Sequence, residues 1–373
     1  MTAHVSKRRV VYVFDTTLDV RFVDSFSTIF ELTLLSSSTA GTTNLAGGHH
    51  RTVRLDAKRI SFWLKAALWL IRHRPEYDLV FGLDTLSAAA GCNLAKLITR
   101  RPLILVLLRP TVDYFRCRRL RGEGGLKYLI GLAAVRVVTW ANCRLADVAV
   151  PCSHYIASQT SSRRIVVIPS YGVDTDAYVP TMTRTEARRL LDIEIDKPLI
   201  FCRSRIGREK DPETFLKAVA YLGSMGRDVQ ALYVGGEYLE LLELAKTFGV
   251  RVIARNHVHP LTELPSYYIA ADIAVQTSLK EGLGLSPLES ACCGVPVVVS
   301  RTGGLVESIV EHETGLLAPV GDHRAVAEAI AWLLDHPIEG SEMAARARDM
   351  VEERYSAKVA FQAWHDLAIS IRP

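Results

Sequence analysis

Apolar residues follow two alternating patterns along this chain. Short unbroken apolar runs, bounded by Gly, Pro or Asp, are typical of parallel strands that are covered on both faces. Longer amphipathic stretches between them indicate helices. The pattern predicts strands at 9–14, 78–83, 102–108, 146–150, 165–168, 198–203, 230–234, 250–254, 272–276 and 295–299, and helices that include 60–73, 86–99, 212–223, 237–248 and 323–335.

This alternation of strands and helices predicts open, doubly wound α/β sheets. The strands form two sets of about five, so we expect two Rossmann-like domains with parallel sheets. The least regular connector is 170–196, where Pro180 precedes a charged, helix-like segment. We therefore predict a first domain over 1–180 and a second over 181–355. Ligands bind outside the carboxyl ends of such strands, so two facing domains predict a binding cleft.

The net charge of +5 conceals an asymmetry between the two halves of the chain. Residues 1–180 contain 24 basic and 13 acidic residues, whereas residues 181–373 contain 21 and 27. The stretch 96–144 alone has 11 basic residues and two acidic ones. A basic first half favours an anionic partner, such as a phosphate, a lipid surface or a nucleic acid. The apolar content of 49% excludes a disordered chain.

Cysteine usage and the N-terminal segment indicate the compartment. The seven cysteines are odd in number and include no CxxC pair, so we expect buried, reduced thiols in a reducing compartment. The apolar run near the N-terminus ends at Asp15 and predicts a first strand rather than a signal peptide. No run of 18 apolar residues occurs, so no membrane span is expected. These features together predict a cytoplasmic protein.

The most informative motif is the segment 281–289, EGLGLSPLE, between a predicted strand and a predicted helix. Gly282 and Gly284 allow a tight turn and close approach of the backbone to a ligand. Ser286 fits the N-cap position of the helix and Pro287 its first turn. The free N–H groups there, with the positive end of the helix dipole, predict an anion site.

A purely structural role is an alternative for part of this motif. Ser286 and Glu289 have the S-x-x-E spacing of a capping box, in which the glutamate only satisfies a backbone N–H. On that fragment alone the two interpretations are equally supported. Glu281 lies eight residues earlier and has no capping role, yet it can reach a sugar hydroxyl beside a bound phosphate. Its presence favours a ligand site.

Together with the segment that follows it, the E-x7-E motif resembles the donor-binding region of retaining GT-B glycosyltransferases of family 4, also called group 1. Two further segments agree: KPLIFCRSRIGREKDPETFLKAVAYL at 197–222 and RRIVVIPSYGVDTDAYVP at 163–180 resemble two other elements of that family in the same order. The resemblance is continuous over about 145–322. It implies a GT-B fold, and it implies that the last helix, 356–373, returns to complete the first domain.

The resemblance also implies roles for individual residues. Arg205 and Lys210 take the positions that hold the donor diphosphate, Glu281 contacts the donor sugar and Glu289 the ribose hydroxyls. Taken singly, the two cations are more typical of a solvated loop, and it is their order with Glu281 that favours a ligand site. A plain strand-to-helix turn explains Gly235 equally well. In full, the resemblance assigns catalytic positions to Glu281, Arg205 and Lys210, and donor-binding positions to Glu289, Gly282, Gly284, Leu285 and Gly235.

The implied reaction moves a sugar, of hexosyltransferase type, from a nucleotide-sugar to an acceptor hydroxyl with retention. Negative charge develops on the leaving diphosphate, and two cations with a helix N-terminus would stabilise it. In the family the leaving phosphate itself helps to take the acceptor proton. We expect a UDP- or GDP-sugar donor, no cofactor and no metal. Asp174 and Asp176 match the metal-binding D-x-D pattern, but turn formation explains them better.

The first half departs from the family pattern. A glycine-rich turn usually follows the first strand, whereas here the segment reads Thr16-Thr17-Leu18-Asp19. Many members also carry a histidine at the active-site edge, but none lies between His73 and His154. Arg109 and Asp113 are the candidates that would replace its contacts with the acceptor.

The basic stretch 116–127 precedes an apolar, helix-like run. Peripheral binding to the inner face of an anionic membrane, beside a lipid-linked acceptor, is one interpretation. A core helix after a solvated basic loop is the other. Nucleic acid is not expected, because no recognised binding motif accompanies the charge. Two further functions stay open: a non-catalytic GT-B subunit that binds a partner or a membrane, and another GT-B enzyme such as an epimerase or a phosphorylase.

Overall fold

The structure is a computed structural model that describes residues 7–15, 18–38, 50–84, 86–121, 124–207 and 209–371. The chain divides into two compact units. The first contains Met1–Tyr171 and Ala360–Pro373, and the second contains Gly172–Val359.

The first unit is built on a parallel sheet of six strands. Its strand order is β3-β2-β1-β4-β5-β6, the order of a doubly wound Rossmann sheet, and the direction of winding reverses between β1 and β4. The strands are β1 (Arg9–Phe14), β2 (Glu31–Ser37), β3 (His50–Leu55), β4 (Leu79–Leu83), β5 (Leu103–Leu107) and β6 (Val148–Pro151).

Helices connect these strands, as parallel pairing requires. They are α1 (Val20–Ile29), α2 (Arg59–Arg72), α3 (Ser87–Thr99), α4 (Thr111–Arg116), α5 (Gly125–Leu145) and α6 (His154–Ser158), with short 3₁₀ helices at Arg74–Glu76 and Cys117–Arg121.

The second unit repeats the same topology. Its parallel sheet has the order β12-β11-β10-β7-β8-β9, so the winding reverses between β7 and β10. The strands are β7 (Leu199–Arg203), β8 (Gln230–Val234), β9 (Val252–Arg255), β10 (Ile273–Gln276), β11 (Val297–Ser300) and β12 (Leu316–Ala318).

Eight helices of the second unit are followed by one that leads back into the first. They are α7 (Arg184–Leu190), α8 (Pro212–Ser224), α9 (Tyr238–Thr247), α10 (Leu264–Ala270), α11 (Leu285–Cys292), α12 (Leu305–Ser308), α13 (His323–Asp335) and α14 (Pro337–Met350), and after a π-helical turn at Val351–Tyr355 comes α15 (Ala357–Ser370).

Aromatic packing explains why α15 belongs to the first unit. The Trp364 ring of α15 lies 5.0 Å from the Phe26 ring and 5.7 Å from the Phe81 ring, both in edge-to-face contact. Its indole N–H donates to the carbonyl of Ser170 at 2.7 Å. The burial of so large a side chain contributes on the order of 3 kcal/mol, which ties the C-terminal helix to this core.

The structure confirms two doubly wound parallel sheets, and it corrects several details. Each sheet has six strands rather than about five. Segment 165–168 is not a strand: it forms one isolated bridge, from Ile165 to Ala149. The division between the units falls at Gly172 rather than after Pro180, because Val173 and Tyr178 are buried in the core of the second unit.

The state of the cysteines agrees with the prediction from sequence. All seven cysteines are free and buried, as predicted. Across the described parts of the chain, none of the helices combines the length and apolarity that crossing a membrane requires.

Candidate functional site

The strand order of the second unit indicates where a ligand would bind. In a doubly wound sheet the loops after the two strands at the reversal diverge and leave a crevice at their carboxyl ends. Those strands are β7 and β10. Arg205 and Lys210 lie in the loop after β7, and Glu281, Gly282 and Gly284 lie in the loop after β10. The structure therefore brings the two predicted groups of residues to one edge of the sheet.

Backbone contacts hold these two loops together. The N–H of Leu279 donates to the carbonyl of Glu209 at 2.8 Å, and the Thr277 hydroxyl donates to the carbonyl of Asp211 at 2.8 Å. The turn after β8 packs equally closely, since a Cβ on Gly235 would lie 1.5 Å from the carbonyl oxygen of Ser204. Gly235 is thus needed for backbone packing beside the site.

The turn before α11 requires a glycine at position 284. Gly284 has a φ of +86°, and a Cβ at this position would lie 2.4 Å from Cδ2 of Leu305. Gly284 is also the N-cap residue of α11, so the prediction that Ser286 occupies this position is wrong. The helix begins at Leu285, whose backbone N–H is among the first-turn donors that have no partner within a helix.

The central contact of the site is an ion pair between Lys210 and Glu281. The amide of Gln276 donates to the same carboxylate at 2.7 Å, and the N–H of Gly282 donates to its other oxygen at 3.1 Å. The side chains of Lys210 and Glu281 are only 16% and 12% exposed. Because an ammonium group has three donors, Lys210 can hold Glu281 and still bind an anion.

Arg205 forms an ion pair with Glu209 at the rim of the same loop. The Glu209 side chain is largely buried, whereas about half of the Arg205 side chain is exposed, at 48%. The carboxylate fixes one side of the guanidinium, and a ligand can reach the rest of its five donors.

Glu289 is buried on the first turns of α11, with 1% exposure. The Tyr268 hydroxyl donates to its carboxylate at 2.9 Å and also lies 2.8 Å from the Ser286 hydroxyl. Burial first, and then the Glu289 carboxylate, raise the pKa of Tyr268 well above its usual value of 10. Tyr268 therefore stays protonated and remains a donor. The Arg203 guanidinium lies 3.9 Å from this carboxylate.

Sequence reasoning missed Gln276, Tyr268 and Arg203, which contact Glu281 or Glu289. Gln276 and Arg203 end the apolar strands β10 and β7, and a polar residue at the carboxyl end of a buried strand is a signal that could have identified them. Tyr268 lies on α10 and offers no comparable signal. Cys202 lies nearby, but burial raises its pKa to about 12, so it is not a reactive thiolate.

The corresponding edge of the first sheet carries charged side chains. Arg109, after β5, forms an ion pair with Asp84, after β4. Ser87 donates to Asp15, after β1. Asp84 has a φ of +62°, and its Oδ1 is buried without a hydrogen-bond partner. Of the segment Thr16–Asp19, Thr16 and Thr17 lie outside the described residues.

Asp113 occupies a different environment from Arg109. It is 4% exposed, and it accepts hydrogen bonds from Arg116 at 2.9 Å, from Gln159 at 3.0 Å and from Tyr155. Such a buried and fully engaged carboxylate joins α4 to α6. This geometry favours a structural role for Asp113 over contact with an acceptor.

Asp174 forms a turn, as its sequence context suggests. Its Oδ1 accepts from the N–H groups of Asp176 at 3.1 Å and Ala177 at 3.0 Å. Within the described residues, no group of three His, Cys, Asp or Glu side chains is placed to hold a metal ion.

Chemically, the edge of the second sheet combines three features. It has a cation next to a carboxylate, a second and exposed cation, and a helix N-terminus behind a glycine turn. Cations and free N–H groups bind phosphate oxygens, while carboxylates accept hydrogen bonds from sugar hydroxyls. The arrangement suits a ligand with phosphate at its centre and hydroxyls at its ends.

Comparison with known proteins agrees with this geometry. Residues 183–350 match the family model described as "Glycosyl transferases group 1". That range includes all of β7–β12, together with both loops of the site.

Among curated proteins, a GDP-mannose-dependent alpha-(1-6)-phosphatidylinositol monomannoside mannosyltransferase of Mycolicibacterium smegmatis is 32% identical over 189 residues, 48% of this chain and 49% of that protein. A D-inositol 3-phosphate glycosyltransferase of an Arthrobacter species is 30% identical over 285 residues, 72% of this chain and 64% of that protein. The chain spans about half the length of the mannosyltransferase that it matches.

Solved structures extend the likeness over both units. A sucrose-phosphate synthase from Thermosynechococcus elongatus has a TM-score of 0.82 at 20% identity, with 97% of this chain and 98% of that chain covered. Anabaena Alr3699/HepE, solved in complex with UDP-glucose, has a TM-score of 0.78 at 18% identity, with 98% and 100% covered. With two Rossmann-like sheets of the same topology, this likeness shows that the chain has the GT-B fold.

Proposed function

Because residues 183–350 match the model of group 1 glycosyl transferases and the chain has a GT-B fold, we propose that the chain is a glycosyltransferase. It transfers a sugar from a nucleotide-sugar to an acceptor hydroxyl. The observation that carries the proposal is the buried Lys210–Glu281 pair at the reversal of the second sheet, in front of the glycine turn of α11.

Each residue of the site has a part in this reaction. Lys210 and Arg205 bind the donor diphosphate, and the N–H groups of Gly284 and Leu285 bind it from the helix end. Glu281 binds a hydroxyl of the donor sugar, and Glu289 binds the ribose. As the bond to the sugar breaks, charge moves onto the diphosphate, so these cations stabilise the transition state more than the ground state.

The donor is a nucleoside diphosphate sugar. One relative is named as GDP-mannose-dependent, and one protein of the same fold was solved with UDP-glucose. These names support UDP or GDP without choosing between them.

We propose transfer with retention and without a metal or another cofactor. Lys210 and Arg205 neutralise the leaving diphosphate, which is the work that a divalent cation would otherwise do. The diphosphate oxygen that leaves the sugar accepts the proton of the incoming hydroxyl on the same face. No side-chain nucleophile is required, and the raised pKa of Cys202 leaves that thiol protonated near neutral pH.

The acceptor is an alcohol that contacts the edge of the first sheet. Arg109 and Asp84 offer a guanidinium and a carboxylate oxygen there, both suited to polyol or phosphate groups. A lipid-linked alcohol at the inner face of the cytoplasmic membrane is the acceptor class that the basic stretch 116–127 favours.

A thermal-shift panel of UDP-, GDP- and ADP-sugars tests the donor site directly. A donor at 100 times its Kd stabilises the protein by about 2.7 kcal/mol. We expect one nucleotide class to do so, and we expect the shift to be reduced in Glu281→Ala and Arg205→Ala. Lys217→Ala is the matched control, because Lys217 is partly exposed on α8, where it forms an ion pair with Glu213 and lies over the Phe248 ring.

Turnover assays complete this test. Nucleotide release that requires an acceptor identifies a transferase, and NMR of the product anomeric carbon reports retention or inversion. Stabilisation by a donor without turnover on any acceptor would identify a non-catalytic subunit instead. An equal response of wild type and both site variants would contradict the site assignment.

A further inference from the structure

Helix α5 of the first unit is mostly exposed although its sequence is mostly apolar. Of its 21 residues only Tyr128, Asn142 and Cys143 are buried. Leu126, Ile130, Val137 and Trp140 are 72%, 60%, 62% and 56% exposed, and their successive spacings of four, seven and three residues place them along one face of the helix. Exposed apolar surface of this extent marks an interaction site rather than ordinary surface.

Positive charge accompanies this apolar face. Lys127, Arg136 and Arg144 lie on the same helix, and segment 124–146 contains no Asp or Glu. In the part of the chain that the structure describes, none of these three basic residues forms an ion pair. Their uncompensated charge is complementary to an anionic partner.

A groove runs beside α5, and it has both polar and apolar walls. Arg116 and Arg136 lie on it with Val137 and Trp140, so two guanidinium groups stand next to apolar side chains. Arg116 also holds Asp113 at 2.9 Å, which fixes its position. The other residues that line the groove are Val112, Thr139, Gln159 and Ser161.

We define the α5 surface as Leu126, Lys127, Ile130, Arg136, Val137 and Trp140. We propose that it docks on the interface of a lipid bilayer that contains anionic lipid, with its apolar side chains among the acyl chains. Arg116 and Arg136 bind the phosphate of one lipid in the groove. Binding to a membrane interface increases with the apolar area that enters it, and nearby Lys and Arg side chains add attraction to anionic lipids.

Charge argues for a bilayer over the other occupants of such a face. A second copy of the chain would bring identical positive charges together around the apolar residues, at a cost in electrostatic energy. A nucleic acid would use the arginines but leave Ile130, Val137 and Trp140 in water. An anionic bilayer satisfies both parts of the surface.

Flotation of the full-length protein with vesicles tests the proposal, with no donor or acceptor present. One set of vesicles contains phosphatidylcholine alone and the other adds about 30% phosphatidylglycerol. We expect binding only to the anionic vesicles, weakened by high salt. Lys127→Glu/Arg136→Glu lowers the partition coefficient about fivefold or more for each residue changed, and Ile130→Ser/Val137→Ser lowers it about tenfold or more.

Matched controls lie on the second unit. Ile338 is 72% exposed on α14, and Arg251 is exposed without an ion pair among the described residues, so Ile338→Ser and Arg251→Glu remove the same groups elsewhere. These controls should bind vesicles as the wild type does. Circular dichroism melting of every variant checks that the first unit stays folded.

Three results would overturn the proposal. One is no binding to anionic vesicles at low salt, and another is an equal loss in the control variants. The third is a protein that does not bind vesicles but forms a dimer in light scattering, and whose dimer the α5 substitutions dissociate. The α5 surface would then be an interface between two copies of the chain. These assays contain no nucleotide, so their outcome is independent of the proposed transferase activity. Membrane binding can be absent from an active transferase, and it can be present in a protein without that activity.

Discussion

The carboxyl edges of the two sheets share a topology and differ in chemistry. At the edge of the second sheet, Gly284 opens the N-terminus of α11, and Lys210 pairs with Glu281 in front of it. At the edge of the first sheet, Asp84 and Arg109 form a pair after β4 and β5. Identical strand orders therefore fix where a ligand can bind, and the loops decide what it is.

This difference suggests a division of labour. Under the proposed function, the second edge would bind the diphosphate and ribose that nucleotide-sugar donors have in common. The first edge would bind the acceptor. Substitutions at the two edges should therefore separate effects on the donor from effects on the acceptor.

Removing the buried cation of the second edge should have the largest effect on catalysis. We expect Lys210→Ala to lower kcat by about 10²–10³, because it removes charge stabilisation at the leaving diphosphate in a site screened from water. Lys217→Ala, which removes the same charge from α8, should leave kcat within about twofold. Initial rates of nucleotide release measure both. If Lys210→Ala raised KM and left kcat unchanged, Lys210 would contribute to binding and not to the chemical step.

Substitution of the turn glycine should affect stability before activity. Gly284→Ala combines a left-handed φ with a Cβ 2.4 Å from Leu305, so we expect the free energy of unfolding to fall by about 2–5 kcal/mol. Gly226 has a φ of +78° but no atom near its Cβ position, so Gly226→Ala should cost only about 1–2 kcal/mol. Urea titrations measure the free energy of unfolding of both variants. An equal decrease in the two would show that the Leu305 side chain moves away from the added methyl group without an energetic cost.

The first edge should respond through the acceptor. We expect Arg109→Gln to raise the KM for the acceptor about tenfold, the cost of one charge-assisted hydrogen bond, while the donor thermal shift stays unchanged. Asp113→Asn should behave differently, because Asp113 is buried among Arg116, Tyr155 and Gln159. It should lower the melting temperature and leave the acceptor KM unaltered. If Asp113→Asn raised the acceptor KM and Arg109→Gln only lowered the melting temperature, Asp113 would be the acceptor-binding residue and Arg109 the structural one.

A surface ion pair should give the smallest effect and a defined pH window. The Arg9 side chain donates to Asp78 and holds the pKa of that carboxyl below its usual 3.8. Because the pKa of Asp78 is lower in the folded state, the ion pair stabilises the protein at pH values above the ordinary pKa of the carboxyl group. This contribution is lost as the pH falls through the lowered pKa. Asp78→Asn should therefore lower the melting temperature by about 1–3 °C at pH 6 and by less near pH 3. Equal shifts at both pH values would show that charge is not the cause.

Part of the fold could be predicted from sequence because buried parallel strands are nearly continuous apolar runs. β1, β5 and β10 were recognisable for this reason. β3 was missed because its sequence, HRTVRL, is largely polar and exposed at the sheet edge. β12 has only three residues, too few for any period to show.

The candidate site divides in the same way. The motif 281–289 was readable because Gly, Ser and Pro have fixed conformational preferences. The N-cap was misassigned by two positions, since the positive φ of Gly284 begins the helix earlier than the serine suggests. Gln276, Tyr268 and Arg203 were not identified, because their contacts with Glu281 and Glu289 depend on packing between separate elements.

By itself, the sequence determined the α/β class, the glycine turn and the types of charged residue in each loop, because local conformation and burial depend on side chains near in sequence. Only the tertiary structure decided that Lys210 meets Glu281, 71 residues away, and that α5 leaves its apolar face uncovered. Parallel strand order and helix packing set both outcomes, and these depend on the free energy of the whole fold rather than on any one segment.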